Sequence, residues 1–208
     1  PALEHMFVVR YLARALGALG DRRTATAPLV GALKTYVKGR SSNRAERLFV
    51  QASVRSLGRL GGPEATDILI ALLDNPLWAV YAADALGDIG GQKAATALLG
   101  VLPDYAYILS RGDKLPSMPH GNGHTLVQKR DPADIDNGGG GKIWTPRIAY
   151  SILFALSRIE FTTPEMVKSL QTITPHIVAN MPQDFDGTVA YEVEPWERIS
   201  GSLLEKAG

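Results

Sequence analysis

Ala82-Ala83-Asp84-Ala85-Leu86-Gly87-Asp88-Ile89-Gly90 is one of four versions of the same short motif in this chain of 208 residues. The other versions occupy residues 12–20, 53–61 and, in a more divergent form, 152–160. Their equivalent leucines lie 41, 29 and then 70 residues apart: Leu16, Leu57, Leu86 and Leu156. A repeat of about 30 to 45 residues whose length varies through loop insertions is typical of a helical solenoid, in which each unit buries its core by stacking on its neighbours.

Each version of the motif belongs to a stretch with the apolar spacing of an amphipathic helix. For the first stretch, over 7–19, the spacing predicts one buried face made of Val8, Leu12, Ala15, Leu16 and Leu19. A second helix follows, with Pro28 near its start. Further helices are predicted over 44–60, 64–73, 77–89 and 94–102. In the helix over 77–89, Trp78 lies on the apolar face and is expected in the core.

The last motif leads into two more predicted helices. One follows Pro146 and turns residues such as Ile152 and Leu156 inward. The second begins at Thr162-Thr163-Pro164-Glu165, which is a good N-terminal signal because a threonine can cap the helix and proline fits its first turn. Beyond Pro175 we expect a non-repeat tail that caps the solenoid.

An arginine stripe runs along the predicted helix over 44–60. At about 100° per residue, its apolar side chains cluster on one side and the opposite side carries Arg44, Arg47, Gln51, Arg55 and Arg59. Guanidinium groups suit phosphates or an acidic protein. The alternative comes from the motif alignment, which stacks Arg55 beside Asp84, and Asp88 beside Arg59 and Arg158. Those would be ion pairs between repeats, each contributing about 0–1 kcal/mol when exposed.

Five arginines lack such a predicted partner and are therefore the better candidates for binding a partner: Arg10, Arg14, Arg40, Arg44 and Arg47. They belong to a basic end of the chain, because residues 1–60 carry 11 Lys and Arg against 3 Asp and Glu, whereas residues 61–110 carry 1 against 6. The chain as a whole has a net charge of only +1. The charge is thus arranged as a gradient along the predicted solenoid.

The segment 111–147 breaks the repeat pattern, because it is polar, glycine-rich and contains several prolines. Loops of this length in compact domains are usually functional or disordered. Its two histidines and three aspartates form a candidate shell for zinc or another divalent ion: His120, His124, Asp131, Asp134 and Asp136. The alternative is a solvated loop, or one that a partner orders. The glycine run 138–141 before Lys142 lacks the spacing of a P-loop and indicates a flexible hinge.

Composition limits the class of protein. The hydrophobic content of 45% is sufficient for a continuous core. No apolar run reaches the roughly 18–20 residues that a membrane span needs. The absence of cysteine excludes disulfides, thiolate catalysis and Cys-based zinc sites, but it does not choose a compartment. Pro1 in place of Met, with the first motif by residue 12, suggests a piece of a longer protein.

The chain resembles HEAT repeats, most closely the short HEAT-like units first recognised in phycobilin lyases. The residues that carry the resemblance are the alanine-rich run and Ala-Leu-Gly-Asp-Ile-Gly of 85–90, with Leu72-Leu73-Asp74 and Val101-Leu102-Pro103-Asp104 ending second helices. The resemblance implies an all-α, right-handed α-solenoid of HEAT-like helical hairpins. We expect three repeats over 1–104, a Gly/Pro-rich insertion over 105–147, and a degenerate fourth repeat with a capping tail over 148–208.

Helical-repeat proteins include enzymes, but their catalytic residues are not matched here. Deoxyhypusine hydroxylase binds iron through His-Glu dipeptides, and this chain has none. The active-site residues of HEAT-like DNA glycosylases have no match either. The sequence therefore favours a noncatalytic scaffold, without a cofactor, that binds a protein partner. Two alternatives stay open: part of a lyase-like or metal-dependent enzyme that uses the 111–147 loop, and nucleic-acid binding through the basic N-terminal repeats.

Overall fold

The computed structural model describes residues 3–37, 44–75, 77–109, 141–160 and 163–180, together with Glu205. Within these ranges the chain forms eight α-helices: α1 Leu3–Leu19, α2 Arg22–Tyr36, α3 Arg44–Leu60, α4 Pro63–Leu73, α5 Ala79–Ile89, α6 Gly91–Leu109, α7 Gly141–Arg158 and α8 Pro164–Asn180. No strand occurs in the described ranges. None of their helices is long and apolar enough to cross a bilayer.

The helices form the two layers of an α-solenoid. The odd-numbered helices, which we call A helices, pack on one another in the order α1, α3, α5 and α7. The even-numbered B helices stack in the order α2, α4, α6 and α8. The four motifs lie on the four A helices. The predicted all-α solenoid of helical hairpins is therefore confirmed.

Tight turns join the two helices of a hairpin. Gly61 and Gly62, with φ of 66° and 100°, connect α3 to α4, and Gly90 and Gly91, with φ of 70° and 80°, connect α5 to α6. Glycine adopts this left-handed conformation without the steric cost that a side chain would add. In the first hairpin the Asp21 side chain accepts a hydrogen bond from the Arg23 backbone N–H at 3.1 Å and caps α2.

The motif glycine sets the spacing of the A helices. A Cβ placed on Gly58 would lie 2.9 Å from the Ala85 Cβ, and one on Gly87 would lie 2.9 Å from the Ala155 Cα. Gly17 is equally tight, because a Cβ there would overlap the Ser56 side chain. Each motif glycine thus packs against the small residue that precedes the motif leucine of the next repeat. Larger residues at either position would force the helices apart.

The core runs between the two layers. The motif leucines Leu57 and Leu86 are fully buried, and Leu156 is 5% exposed. Trp78 is 1% exposed, so the prediction that it belongs to the core is confirmed. Tyr105 on α6 is also buried, and its hydroxyl donates a hydrogen bond to the Leu73 carbonyl at 2.8 Å.

The predicted buried face of α1 is wrong. Val8, Leu12 and Leu19 are 59%, 57% and 89% exposed, Leu16 is 36% exposed and Ala15 is exposed as well. Among residues 8–19 of α1, for which burial is described, the buried one is Ala13, which faces α3. On α3 the equivalent apolar face is covered by the B helices, for example where Tyr36 of α2 meets Phe49 at 5.1 Å between ring centroids. In the described residues α1 has no comparable cover.

Four predicted helix limits at prolines are also wrong. The helix that was expected to end before Pro103 continues to Leu109, and α8 continues through Pro175 to Asn180. At the other ends, α2 begins six residues before Pro28, and α7, which was expected to follow Pro146, begins at Gly141. A proline inside a helix removes one backbone hydrogen bond, and packing can offset that cost. The turns after Pro103 and Pro175 bury Tyr105 and Ile177, which provides this packing.

Candidate functional site: a charged cavity on the A helices

A cavity of about 280 Å³ opens on the surface of the A-helix layer. It is formed by α1, α3 and α5 together. Its walls carry four arginines, two aspartates, one tyrosine and smaller groups: Arg10, Arg14, Leu48, Gln51, Ala52, Arg55, Ser56, Arg59, Tyr81, Asp84, Ala85 and Asp88. The site is therefore a property of stacked repeats, since no single hairpin contributes more than part of it.

The charged residues of the cavity lie in two rows that cross the A helices. Arg14, Arg55 and Asp84 occupy the same motif position on α1, α3 and α5. Arg59 and Asp88 occupy the position one helical turn later on α3 and α5, and Arg158 continues that row onto α7. Because the repeats stack in register, residues at equivalent motif positions lie side by side. Their charges are positive on α1 and α3 and negative on α5.

Arg158 holds both aspartates. Its Nη2 lies 3.0 Å from Asp84 Oδ1 and its Nη1 lies 2.8 Å from Asp88 Oδ1. Nη2 also donates to the Asp84 carbonyl at 2.9 Å, and the guanidinium lies 4.8 Å from the centre of the Phe154 ring. A planar guanidinium with five N–H donors is suited to this bridging geometry. Arg158 therefore ties α7 to α5 at the edge of the cavity.

This arrangement corrects the predicted pairing. Arg59 was expected beside Asp88, but in the described part of the chain it makes no ion pair, because Arg158 binds Asp88 instead. The expected closeness of Arg158 to Asp88 is confirmed. Arg55 acts electrostatically on Asp84, as expected, and Arg158 donates a hydrogen bond to the same carboxylate at 3.0 Å.

The pKa of Asp84 is raised above its ordinary value. Burial is the largest cause, because it disfavours the charged carboxylate, and the negative charge of Asp88 adds to it. The positive charges of Arg158 and Arg55 lower the pKa, but they offset the burial only in part. Asp84 is thus a carboxylate whose charge the fold does not fully compensate.

Two neutral contacts shape the wall between α3 and its neighbours. The Gln51 amide donates a hydrogen bond to the Tyr81 hydroxyl at 2.8 Å and joins α3 to α5. The Ser56 hydroxyl donates to the Ala13 carbonyl at 2.8 Å and joins α3 to α1. Ser56 is buried, and its hydroxyl holds two helices together at the cavity wall.

The residues predicted to bind a partner fall into three groups. Arg10 and Arg14 line the cavity. Arg44 and Arg47 are exposed in the first turns of α3 and do not line it. Arg40 lies outside the described residues, as do all the candidate metal ligands: His120, His124, Asp131, Asp134 and Asp136. Among the residues that the structure describes, no cluster of three His, Asp or Glu is arranged to hold a metal ion.

Sequence reasoning set aside two arginines that belong to the cavity. Arg55 and Arg59 were treated as structural partners of the aspartates on α5, and the motif alignment on which that inference rested does place them in the right rows. The alignment predicted Arg158 beside Asp88, but it did not predict that the same guanidinium also binds Asp84. Nothing in the sequence indicates that Gln51 and Tyr81 line the cavity, because both side chains are also common on ordinary amphipathic helices.

Fold and site together define a helical-repeat protein with a charged cavity across its A helices. Residues 51–75 match the family described as PBS lyase HEAT-like repeat. The match spans most of α3 and all of α4, and it confirms there the resemblance inferred from the motif. No curated protein and no solved structure is significantly similar to the chain.

Proposed function

We propose that this chain is a noncatalytic HEAT-like interaction module that holds a protein partner on the A-helix face, at the cavity between α1, α3 and α5. The observation that carries the proposal is the arginine-rich cavity itself, which three stacked helices build jointly. Arginine and tyrosine are among the side chains most enriched at protein interfaces, and this cavity presents four arginines with Tyr81.

The size of the cavity supports a partner segment over a cofactor. Its volume of about 280 Å³ is at or below the lower limit of pockets that enclose small molecules, which are mostly apolar. Its walls are charged and open to a continuous helical surface. Such a site accommodates side chains of a bound polypeptide, while the flanking solenoid surface supplies the remaining contact area.

The polar groups of the cavity support a binding role over a catalytic one. Asp84 and Asp88 are held by Arg158, and the Ser56 hydroxyl is engaged with a backbone carbonyl. General acid–base or nucleophilic chemistry needs such groups aimed at a substrate. The alternative of a lyase-like or metal-dependent enzyme that uses the 111–147 loop stays a prediction.

Site-specific photo-crosslinking tests the proposal. A photoreactive phenylalanine derivative replaces Leu48, which lines the cavity, in the full chain expressed in its native host. The matched control replaces Ala71, an exposed residue of α4 in the B layer. We expect a discrete protein adduct from position 48 and none from position 71. Equal adducts from both positions, none from position 48, or an adduct that nuclease removes would contradict the proposal.

A further inference from the structure

The basic end of the cavity carries charge that the fold leaves unsatisfied. Arg14 on α1 and Arg59 on α3 are exposed and make no ion pair in the described residues. The nearest row of carboxylates, on α5, is already bound to Arg158. Uncompensated arginines on adjacent helices repel one another, and an anionic ligand would remove that repulsion.

The arginines along each of the two helices are spaced to suit an extended peptide. Arg10 and Arg14 lie one turn apart on α1, and Arg55 and Arg59 lie one turn apart on α3, which is about 6 Å along each axis. The two axes approach closely because Gly17 packs against Ser56. Alternate side chains of an extended peptide are about 6.6–7 Å apart and point the same way. Carboxylates two residues apart therefore match one turn of either helix.

The other end of the cavity has the opposite sign. Asp84 and Asp88 together face the single guanidinium of Arg158 from α7 and the charge of Arg55 from α3. Acidic side chains are accordingly disfavoured at α5, and a basic or neutral side chain is preferred there. A uniformly anionic ligand such as a nucleic-acid backbone would place phosphates against these aspartates.

We infer that the segment bound in this cavity is an extended acidic peptide, whose carboxylates pair with the arginines of α1 and α3, Arg14 and Arg59 among them, and whose neighbouring basic residue lies beside Asp84 and Asp88. The inference rests on the proposed function and names the class of partner. Pairing of guanidinium with carboxylate supplies charge-assisted hydrogen bonds, and exclusion of acid at α5 sets the order of residues along the peptide.

Fluorescence anisotropy with defined peptides tests this inference on the full chain. The probe alternates three glutamates with serines and ends in lysine; its counterparts carry glutamine for glutamate, or an aspartate in place of the lysine. We expect the glutamine peptide to bind at least tenfold more weakly and the peptide with the terminal aspartate severalfold more weakly. Binding of the glutamate peptide should decrease with added salt.

Matched variants locate the binding. Arg14→Gln and Arg59→Gln should each weaken binding of the glutamate peptide about fivefold or more. Arg23→Gln, which removes the same charge from an exposed position on α2, should leave it unchanged. Circular dichroism melts establish that all three variants fold. Equal weakening by Arg23→Gln, equal binding of the glutamine peptide, or tighter binding of a single-stranded oligonucleotide would each overturn the inference.

The two proposals fail in different ways. A protein adduct from position 48 together with no preference for the glutamate peptide overturns the acidic-peptide inference and leaves the interaction module intact. Peptide binding that depends on Arg14 and Arg59, with no adduct from position 48, instead counts against the partner site proposed for the cavity in the cell.

Discussion

Asp84, Leu16 and Leu57 show how position in the stack gives equivalent motif positions different roles. Leu16 and Leu57 occupy the same place in the motif, yet Leu57 is fully buried and Leu16 is 36% exposed. Asp84 occupies the place that Arg14 and Arg55 fill on α1 and α3. The contribution of a residue to stability therefore depends on the neighbours that stacking places around it.

The leucine pair provides a direct comparison. Leu57→Ala should lower the free energy of unfolding by about 2–5 kcal/mol, because it removes buried methyl groups and leaves a cavity. Leu16→Ala should cost less than Leu57→Ala, since Leu16 is 36% exposed and its truncation leaves no enclosed cavity. Urea denaturation followed by circular dichroism measures both values. Similar losses for the two variants would show that α1 is covered as α3 is.

The raised pKa of Asp84 predicts a particular pH dependence. The folded state binds the Asp84 proton more tightly than the unfolded chain does. Protonation of Asp84 therefore stabilises the fold, and this contribution is complete below the ordinary carboxyl pKa of about 3.9. It is lost as the pH rises through the pKa that Asp84 has in the folded state. At pH 7, Asp84→Asn should therefore be at least as stable as the parent chain. As the pH falls toward 4, the free energy of unfolding of the parent chain should rise relative to that of Asp84→Asn.

Urea denaturation of the parent and Asp84→Asn at several pH values tests this sign. The informative quantity is the difference between their free energies of unfolding, because all other titrating groups are shared. A parent chain that loses stability relative to Asp84→Asn on acidification would mean that Arg158 and Arg55 outweigh burial at this carboxyl.

At the scale of the elements, the structure accounts for the Leu-Gly of the repeated motif. The leucine enters the core between the layers, and the glycine allows the next A helix to approach. Because the small partner of each glycine belongs to the next repeat, the motif encodes contacts between repeats more than within them. Arg158 adds a polar connection of the same kind between α5 and α7.

Gly58→Ala tests this role of the glycine. The added Cβ would lie 2.9 Å from the Ala85 Cβ and 3.0 Å from its Cα, so α3 and α5 must separate, and we expect a loss of about 1–3 kcal/mol in the free energy of unfolding. Gly100→Ala on α6 is the matched control, because nothing lies within 4 Å of its added Cβ. That variant should gain up to about 1 kcal/mol from helix propensity. Stabilisation by Gly58→Ala would contradict the packing account.

At the scale of the whole molecule, stability should vary along the solenoid, because each repeat contacts only its neighbours. The A helices α3 and α5 each pack between two other A helices and on the B layer. In α1, the residues that correspond to the buried face of α3 are exposed in the described structure. Local opening should therefore be easiest at α1.

Hydrogen–deuterium exchange with mass spectrometry checks this expectation. We expect peptides from α3 and α5 to be the most protected and peptides from α1 to exchange first. Uniform protection across α1, α3 and α5 would indicate that the apolar face of α1 is covered in solution.

The repeat spacing, the amphipathic helices and the core position of Trp78 were readable from the sequence. Helical periodicity and the motif are local properties, so they predicted the all-α solenoid and the A helices that carry the charges. The limits at Pro103 and Pro175 were misjudged because local proline signals do not include the packing that lets a helix continue.

The candidate site was only partly readable for a related physical reason. Arg10 and Arg14 could be singled out, because the sequence shows which arginines lack an aligned acidic partner. The sequence does not show which arginine binds Asp84 and Asp88, because Arg158 lies 70 residues or more from them along the chain. It also does not show which face of α1 is covered, because that depends on the neighbouring helices. The sequence by itself determined the type of fold and the rows of charge. The pairing that leaves Arg59 facing the cavity was decided only by tertiary stacking, because ion pairs and burial depend on distances in space.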